Sequence, residues 1–328
     1  MKQKNIVIDL GTSNIRISVS NEDAIVTESN IVAIDIEENR IVEVGKNVNN
    51  ILGKEPKNIK IIYPIKNGIV TDSEVLEILL KELIRKVYSK KVLFRPNILI
   101  NYPSNITEVE KEAIITVLEK LGAKKIYLKE SILLAAMGTG IKISKPSGNM
   151  IIDIGHGTTD IGVISLNNIV ASKSINIAGN QFNKDIIQYI KENYQVTIGE
   201  ITASKIKTNF GVLSNNNKDM EITGIDIITS VPKTIKVNQL DIKKALNSST
   251  EKIISEIKSI LESTKPELLN DILSKGIVLT GGSSQMDGIR ELLQEELGIK
   301  VLQAQNPNFS VIEGEKMYLN NIKTKNKL

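Results

Sequence analysis

Two stretches of the chain share one pattern of apolar and polar positions. Asn5–Ser20 (NIVIDLGTSNIRISVS) opens with an apolar run, meets Asp9, and passes through Gly11, Thr12 and Ser13. It then alternates, with Ile15, Ile17 and Val19 apolar and Arg16, Ser18 and Ser20 polar. Met150–Leu166 (MIIDIGHGTTDIGVISL) repeats the plan: an apolar run, Asp153, a turn holding Gly155, Gly157, Thr158 and Thr159, and a second apolar run over Ile161–Leu166. Two strand-like runs around a glycine-containing turn predict a β-hairpin in each place. One pattern occurring twice predicts two similar halves.

The rest of the pattern is mixed. Ala24–Ile36 is strand-rich, a polar turn falls near Glu37–Arg40, and Ile41–Gly45 is a short strand. Tyr63–Gly68 carries turn residues. Thr71-Asp72-Ser73-Glu74 has capping-box spacing, followed at helical intervals by Val75, Ile78, Leu79 and Leu83. A second capping box, Thr107 to Glu110, opens a helix with Ile114, Val117, Leu118 and Leu121 on one face, closed by Gly122. Arg95–Tyr102 between them reads as a buried strand. In the second half, Ile169–Ala178 is strand, Phe182–Asn193 and Ile198–Phe210 are helices, and strands lie around Glu221–Val237. Leu240–Thr264 is a long helical stretch whose interior Ser248-x-x-Glu251 resembles a cap. Gly276–Thr280 is a strand that leads through Gly281-Gly282 to a helix from about Met286 to Leu297, closed by Gly298. Both halves are therefore α/β.

Composition narrows the classes. A chain of 328 residues can bury a large core and more than one domain. Its 42 basic and 38 acidic residues leave a net charge of +4, too mild to call for a nucleic-acid partner. Cysteine is absent, which removes disulfides, thiolate metal sites and a cysteine nucleophile. The first residues enter a strand directly, without the pattern of a signal peptide, and no apolar run has the length of a membrane span. These features predict a soluble chain, at most peripheral to a membrane.

The candidate chemistry sits in the turns. Backbone N–H groups and hydroxyls converging in a glycine turn suit an anion. An aspartate at the mouth of such a turn, Asp9 or Asp153, is placed to hold a hydrated cation, most simply Mg²⁺. The strand–Gly281-Gly282–helix junction offers close backbone approach and a helix start, and reads as a third wall of a nucleotide pocket.

These three loops, in this order, resemble the two phosphate motifs and the adenosine motif of the superfamily of actin, sugar kinases and heat-shock chaperones. Within it the chain resembles the bacterial actin MreB family from about residue 5 to 305. The resemblance is carried by Ile51–Pro56, Pro64–Asp72, Ser147–Met150, Val231–Thr234 and Pro266 through Gly282. It implies an α/β actin-like ATPase fold: two related lobes with ribonuclease H-like cores flank a nucleotide cleft, each carrying a smaller subdomain. The implied parts are residues 1–31 with 63–147 and 310–328 as the first core, 32–62 as its small subdomain, 148–177 with 243–309 as the second core, and 178–242 as its small subdomain.

The resemblance further implies ATP/ADP and Mg²⁺ as ligands, self-assembly into paired filaments, and slow hydrolysis of ATP to ADP and phosphate. Matched position by position, Thr12, Ser13 and Asn14 would meet the β- and γ-phosphates from one hairpin, and His156, Gly157 and Thr158 from the other. Ser204, Lys205, Ile206 and Lys207 would lie against ribose and adenine, and Thr280, Gly281, Gly282 and Ser283 would close the nucleoside side. Asp9 and Asp153 would hold Mg²⁺ through water. Glu130 would orient the attacking water, aided by a hydroxyl of Thr158 or Thr159.

The chain departs from the family pattern at His156, Ser131, Ser204, Ser283, Ser284 and Glu313-Gly314-Glu315, which puts the hydrolysis rate in question. A scaffold that binds nucleotide and polymerises with little turnover is the alternative. Leu93 and Phe94, set among Lys90, Lys91 and Arg95, match a family Leu-Phe pair that enters lipid and suit an anionic membrane surface. They equally suit the start of the buried strand that reaches Ile100. The tail Lys316–Leu328 reads as either a further cationic contact or a disordered end. The implied place is the cytoplasm, peripheral on the inner membrane face, with cell-shape or wall-synthesis membrane proteins as partners.

Overall fold

The computed structural model describes residues 5–19, 22–87, 95–210 and 218–325. The chain divides into two compact units, Met1–Lys142 with Phe309–Leu328, and Ile143–Asn308.

The first unit runs β1 (Asn5–Leu10), β2 (Asn14–Val19), β3 (Ile25–Ser29), β4 (Val32–Asp35), β5 (Arg40–Val44), β6 (Ile59–Ile62), β7 (Ile65–Lys66), β8 (Ile69–Val70), α1 (Ser73–Val87), β9 (Asn97–Tyr102), α2 (Glu108–Lys120), β10 (Lys125–Glu130) and α3 (Ser131–Gly138). Its main sheet has the order β10-β9-β1-β2-β3. β1, β2 and β3 form an antiparallel meander, while β9 and β10 join β1 in parallel. Parallel strands need crossover helices, and α2 supplies one. Thr107 and Glu110 make the expected reciprocal cap at its start, and Gly122 follows its end with φ +81°. For α1 the cap is one residue later than the spacing suggested. Asp72 accepts from the Val75 N–H, and the Thr71 hydroxyl is spent on the Tyr63 carbonyl.

The second unit runs β11 (Asn149–Ile154), β12 (Thr159–Ser165), β13 (Asn168–Ile175), α4 (Gly179–Tyr194), β14 (Val196–Thr197), α5 (Glu200–Asn209), β15 (Asp219–Asp226), β16 (Pro232–Asn238), α6 (Gln239–Ser263), α7 (Pro266–Lys275), β17 (Ile277–Thr280), α8 (Ile289–Leu297) and β18 (Val301–Gln303). Its main sheet, β13-β12-β11-β17-β18, is again an antiparallel meander extended by two parallel strands. The sequence duplication is thus a duplication of topology. Each unit buries its own aliphatic core, around Ile6, Ile8, Ile98 and Leu79 in the first and Ile152, Ile161, Phe182 and Ile257 in the second.

Three expectations are corrected. The cap-like Ser248-x-x-Glu251 does not interrupt α6, which continues for 25 residues and is capped by Asn238. Ser249 and Thr250 are buried within it: the Thr250 hydroxyl bonds back to the Leu246 and Asn247 carbonyls, and Ser249 bonds Asp185. The helix expected from Met286 starts at Ile289, because Gly288 takes a left-handed φ of +81° and a 3₁₀ turn fills Gly282–Gln285. Of the two readings of the tail from Lys316, the disordered end is corrected as far as Lys325. Ser310–Lys325 forms α9, whose Ile312 and Leu319 are buried with Val7, Leu99 and Leu134. α9 meets α3 backbone to backbone: a Cβ on Gly314 would overlap the Leu134 carbonyl, and one on Gly138 the Ser310 carbonyl.

Candidate functional site

In the first unit, the turn between β1 and β2 is braced from outside its hairpin. The amide of buried Asn30 donates to the Thr12 carbonyl at 2.8 Å and to the Ile65 carbonyl at 2.7 Å, and the Asn30 N–H donates to the Ser13 carbonyl at 3.0 Å. Asn67 and Gly68, both with positive φ, close a two-residue hairpin between β7 and β8. From there the Gly68 N–H donates to the Thr12 hydroxyl oxygen at 2.9 Å. Ser13 is left exposed beside Asn14, whose amide donates to its hydroxyl oxygen at 3.2 Å. The turn is therefore held in shape by Asn30 and Gly68, with Ser13 and Asn14 at its surface. Asn30 was not among the sequence-derived candidates. Its importance comes from a contact 35 positions away, which local pattern does not carry.

Beneath this turn lies a buried polar network. Asp9 accepts from Arg16 at 2.9 Å and from the Asn101 amide at 3.3 Å. The Asn101 side-chain oxygen accepts from the Leu10 N–H at 2.6 Å, and its amide also donates to the Ser131 hydroxyl at 3.0 Å. Burial pushes the Asp9 carboxyl up, opposed by the charge and hydrogen bond of Arg16. The Arg16 guanidinium lies 5.3 Å from the centroid of the Phe309 ring. Glu130 ends β10 in the N-cap position of α3 and accepts from the Ser104 hydroxyl at 3.0 Å. Ser131, the residue after Glu130 and a departure from the family pattern, is thus tied to Asn101. Glu315 of α9 is also here, fully buried, with neither carboxylate oxygen in a well-formed hydrogen bond among the described residues and only the Asn101 backbone N–H acting on it as a donor. Burial first, and the charge of Asp9 second, push it well above the usual carboxylate range.

In the second unit, the turn between β11 and β12 is closed by the Gly155 N–H donating to the Thr158 carbonyl at 2.9 Å. It is locked to the start of α4: the Gly179 N–H donates to the Gly155 carbonyl at 3.2 Å and the Asn180 N–H to the His156 carbonyl at 2.7 Å. The Ser283 hydroxyl adds a 2.7 Å bond to the Gly155 carbonyl. The two threonines differ. Thr158 is partly exposed and its hydroxyl donates to Asp160 at 3.0 Å; Thr159 is fully buried and spends its hydroxyl on the Ile177 carbonyl at 2.6 Å. Thr159 therefore anchors the strand.

Of the α5 candidates, Ser204 is half-buried, Lys205 is exposed, and Ile206 packs into the core. Lys207 reaches the turn, where its ammonium donates to the Gly179 carbonyl at 2.6 Å. Burial lowers it to about 8, countered by the charge of Glu200. Burial, and then Lys207, lower His156 to about 4. Thr280 is buried and donates to the Pro307 carbonyl at 3.2 Å, and Gly281 takes φ +91° against the Asp153 carboxylate and the Ile154 carbonyl. Gly282 and Ser283 lie on the 3₁₀ turn.

The donor set suits a phosphorylated ligand: hydroxyls, turn amides and a buried ammonium. For Mg²⁺ the oxygens differ in suitability. Asp9 is committed to Arg16 and Asn101; Asp153 is aligned in register with Thr280, with a carboxylate oxygen against Gly281, and is an oxygen ligand of the kind a hard, partly hydrated cation accepts. Leu93 and Phe94 lie outside the described residues, as do the side chains of Lys323, Lys325 and Lys327. Among the described residues no helix is long and apolar enough to cross a membrane.

Residues 3–327 match the family model described as MreB/Mbl protein. The cell shape-determining protein Mbl of Bacillus subtilis (strain 168) is 41% identical over 324 residues, 98% of this chain and 97% of that protein. The cell shape-determining protein MreB of Escherichia coli (strain K12) is 36% identical, over 96% of this chain and 92% of its own length. Among solved structures, MreB5 of Spiroplasma citri bound to AMPPNP superposes with a TM-score of 0.95 at 33% identity, covering 100% of both chains. MamK, solved as a double helical filament, shares the fold with a TM-score of 0.81 at 19% identity, over 96% of this chain and 99% of its own.

Proposed function

The chain belongs to the MreB/Mbl family of cell shape-determining actin homologues, and from that premise we propose that it binds ATP with Mg²⁺, assembles with copies of itself into filaments, and hydrolyses ATP slowly. The observation that carries this reading is the braced hairpin turn found once in each unit, at Thr12–Asn14 and at Gly155–Thr158. The Spiroplasma citri relative was solved bound to AMPPNP and to ADP, which supports nucleotide as the ligand.

In this reading Ser13, Asn14, Thr158 and the turn amides bind phosphate oxygens, and Lys207 supplies positive charge. Asp153 holds the cation's water shell. Mg²⁺, when bound, would neutralise phosphate charge as the terminal phosphoryl group transfers. Glu130 orients the attacking water. The separate sheets β4–β6 and β14–β16 support dividing each unit into a core and a smaller subdomain, at 32–62 and 178–242. The filament lies on the inner face of the cell membrane, with Leu93 and Phe94 entering lipid.

The test measures phosphate release with ATP and Mg²⁺ beside pelleting at rising protein concentration, for the native chain and Glu130→Ala. The expected result is concentration-dependent pelleting for both and roughly tenfold slower release for the variant. Release without pelleting overturns the filament reading. A second reading, a scaffold with little turnover, is favoured by the Glu130 carboxylate already accepting from Ser104; pelleting without release from the native chain would establish it. Binding to anionic liposomes that survives Leu93→Ser with Phe94→Ser would remove the membrane role of that pair.

A further inference from the structure

Glu130 stands at the N-cap position of α3, where a side-chain oxygen ordinarily accepts from an amide of the first helical turn, yet it makes no such bond. Its carboxylate is drawn off to the connection between β9 and α2, where the Ser104 hydroxyl donates to Oε2 at 3.0 Å. The bond takes up one oxygen only: Oε1 accepts no hydrogen bond among the described residues. Ser104 is itself held in place. It lies on a turn in which the Ile106 N–H donates to the Pro103 carbonyl at 3.3 Å, and both Pro103 and Ile106 are buried. Pro103 packs on Gly68, where a Cβ would overlap the proline ring, and the Gly68 N–H donates to the Thr12 hydroxyl oxygen at 2.9 Å. A short path of contacts within the first unit, Thr12–Gly68–Pro103–Ser104–Glu130, therefore joins the hairpin turn to the carboxylate.

We propose that Ser104 is a positioning residue for hydrolysis: by holding Oε2 of Glu130 it fixes Oε1 as the oxygen that accepts from the attacking water. This rests on the reading of Glu130 given above and adds to it a residue and a division of labour between the two carboxylate oxygens. The water oxygen bonds to the terminal phosphorus as the bond from phosphorus to the ADP oxygen breaks. One water proton stays on the released phosphate, the other leaves to solvent, and Glu130 ends as it began. A hydroxyl bonded to a carboxylate is a charge-assisted contact, strong enough to choose one rotamer of a long side chain. Glu130 also acts through its charge on Lys111, so a carboxylate released from Ser104 has a cation to turn toward.

Phosphate release with Mg²⁺ is measured across ATP concentrations for the native chain, Ser104→Ala, Ser104→Thr, Glu130→Ala and the Ser104→Ala, Glu130→Ala double variant, at equal pelleted fractions. Nucleotide affinity is measured separately, by ADP displacing a fluorescent nucleotide. Ser104→Ala should lower kcat by about three- to fivefold, with KM and ADP affinity unchanged. Ser104→Thr keeps the hydroxyl and should restore the rate. In the Glu130→Ala background, Ser104→Ala should cost nothing further, because Ser104 acts through Glu130. A Ser104→Ala kcat equal to or above the native value overturns the proposal and leaves the role of Glu130 standing. So does a rise in KM in place of a fall in kcat, a loss that persists without Glu130, or a Ser104→Thr variant as slow as Ser104→Ala. Glu130→Ala releasing phosphate as fast as the native chain, or no release from the native chain, overturns both.

Discussion

Asp9 and Arg16 are register partners across the first hairpin, and their side chains close a 2.9 Å ion pair that is 8% and 15% exposed. The pair sits directly under the turn that carries Thr12, Ser13 and Asn14. Removing one member leaves the other charge buried without its partner, which is worse than never having had the pair. Arg16→Met should therefore lower stability by about 3–5 kcal/mol, read as a fall in the urea midpoint. Asp9→Asn combined with Arg16→Met should recover part of the loss. Equal losses in the single and double variants would show that the guanidinium matters through its packing on Phe309 instead.

Gly314 offers a case in which two effects have opposite sign. Alanine in a helix interior is favoured over glycine by about 1 kcal/mol. Here the added Cβ would overlap the Leu134 carbonyl of α3, and backbone cannot step aside as a side chain can. Overpacking of this kind costs about 1–3 kcal/mol or more, so Gly314→Ala should destabilise. A calorimetric midpoint at or above that of the native chain would mean that α9 slides on α3.

These two positions also mark what was legible in the sequence. The duplicated hairpins, the cap at Thr107 and the stop at Gly122 depend on neighbours within a few residues, so local pattern carried them. Asp9 and Asp153 could be found because each ends an apolar run. The commitment of Asp9 to Arg16 could not, since a strand's alternation says which face a residue takes but not which partner it meets. α9 was missed because Lys and Glu interrupt its apolar positions. Its helix is fixed by close approach to a segment 172 to 180 positions earlier in the chain, Ser310 against Gly138 and Gly314 against Leu134. Asn30 belongs to the same class, and for the candidates Thr159 and Ser283 the hydrogen-bond partners were equally out of reach of local pattern. Asn30 reaches the Thr12, Ser13 and Ile65 carbonyls, Thr159 the Ile177 carbonyl and Ser283 the Gly155 carbonyl, all distant in the chain.

Glu315 is buried against Asp9 with only the Asn101 backbone N–H acting on its carboxyl as a donor and no well-formed hydrogen bond to either oxygen among the described residues. Its folded-state carboxyl is raised above the ordinary value of 4.5, so above that pH the folded chain holds a proton that the unfolded chain releases. Stability should therefore fall as pH rises from about 4.5 toward neutrality and beyond. Glu315→Met removes the buried carboxyl, and with it the cost of keeping it protonated, and should gain on the order of 2 kcal/mol at pH 8, with little gain at pH 4. Urea unfolding at both pH values measures this, and an equal effect at the two would assign the cost to packing.

Lys207 should reveal the opposite sign of pH dependence in the ligand-free protein. Burial lowers the folded-state ammonium to about 8, against 10.5 ordinarily. Below pH 8 both states are charged and the folded chain carries the whole desolvation cost. Between about 8 and 10.5 the unfolded chain still binds the proton that the folded chain has lost, so stability rises with pH across that window. Lys207→Met should then be more stable than the native chain at pH 7, by on the order of 1–3 kcal/mol, and should lack the rise between pH 8 and 10. Urea midpoints at pH 7, 8, 9 and 10 test both points. A destabilised variant at pH 7 would mean that the bond to the Gly179 carbonyl outweighs the buried charge. A stabilised variant that binds ADP weakly would mean that the site holds its cation at the expense of fold stability, for the sake of the ligand.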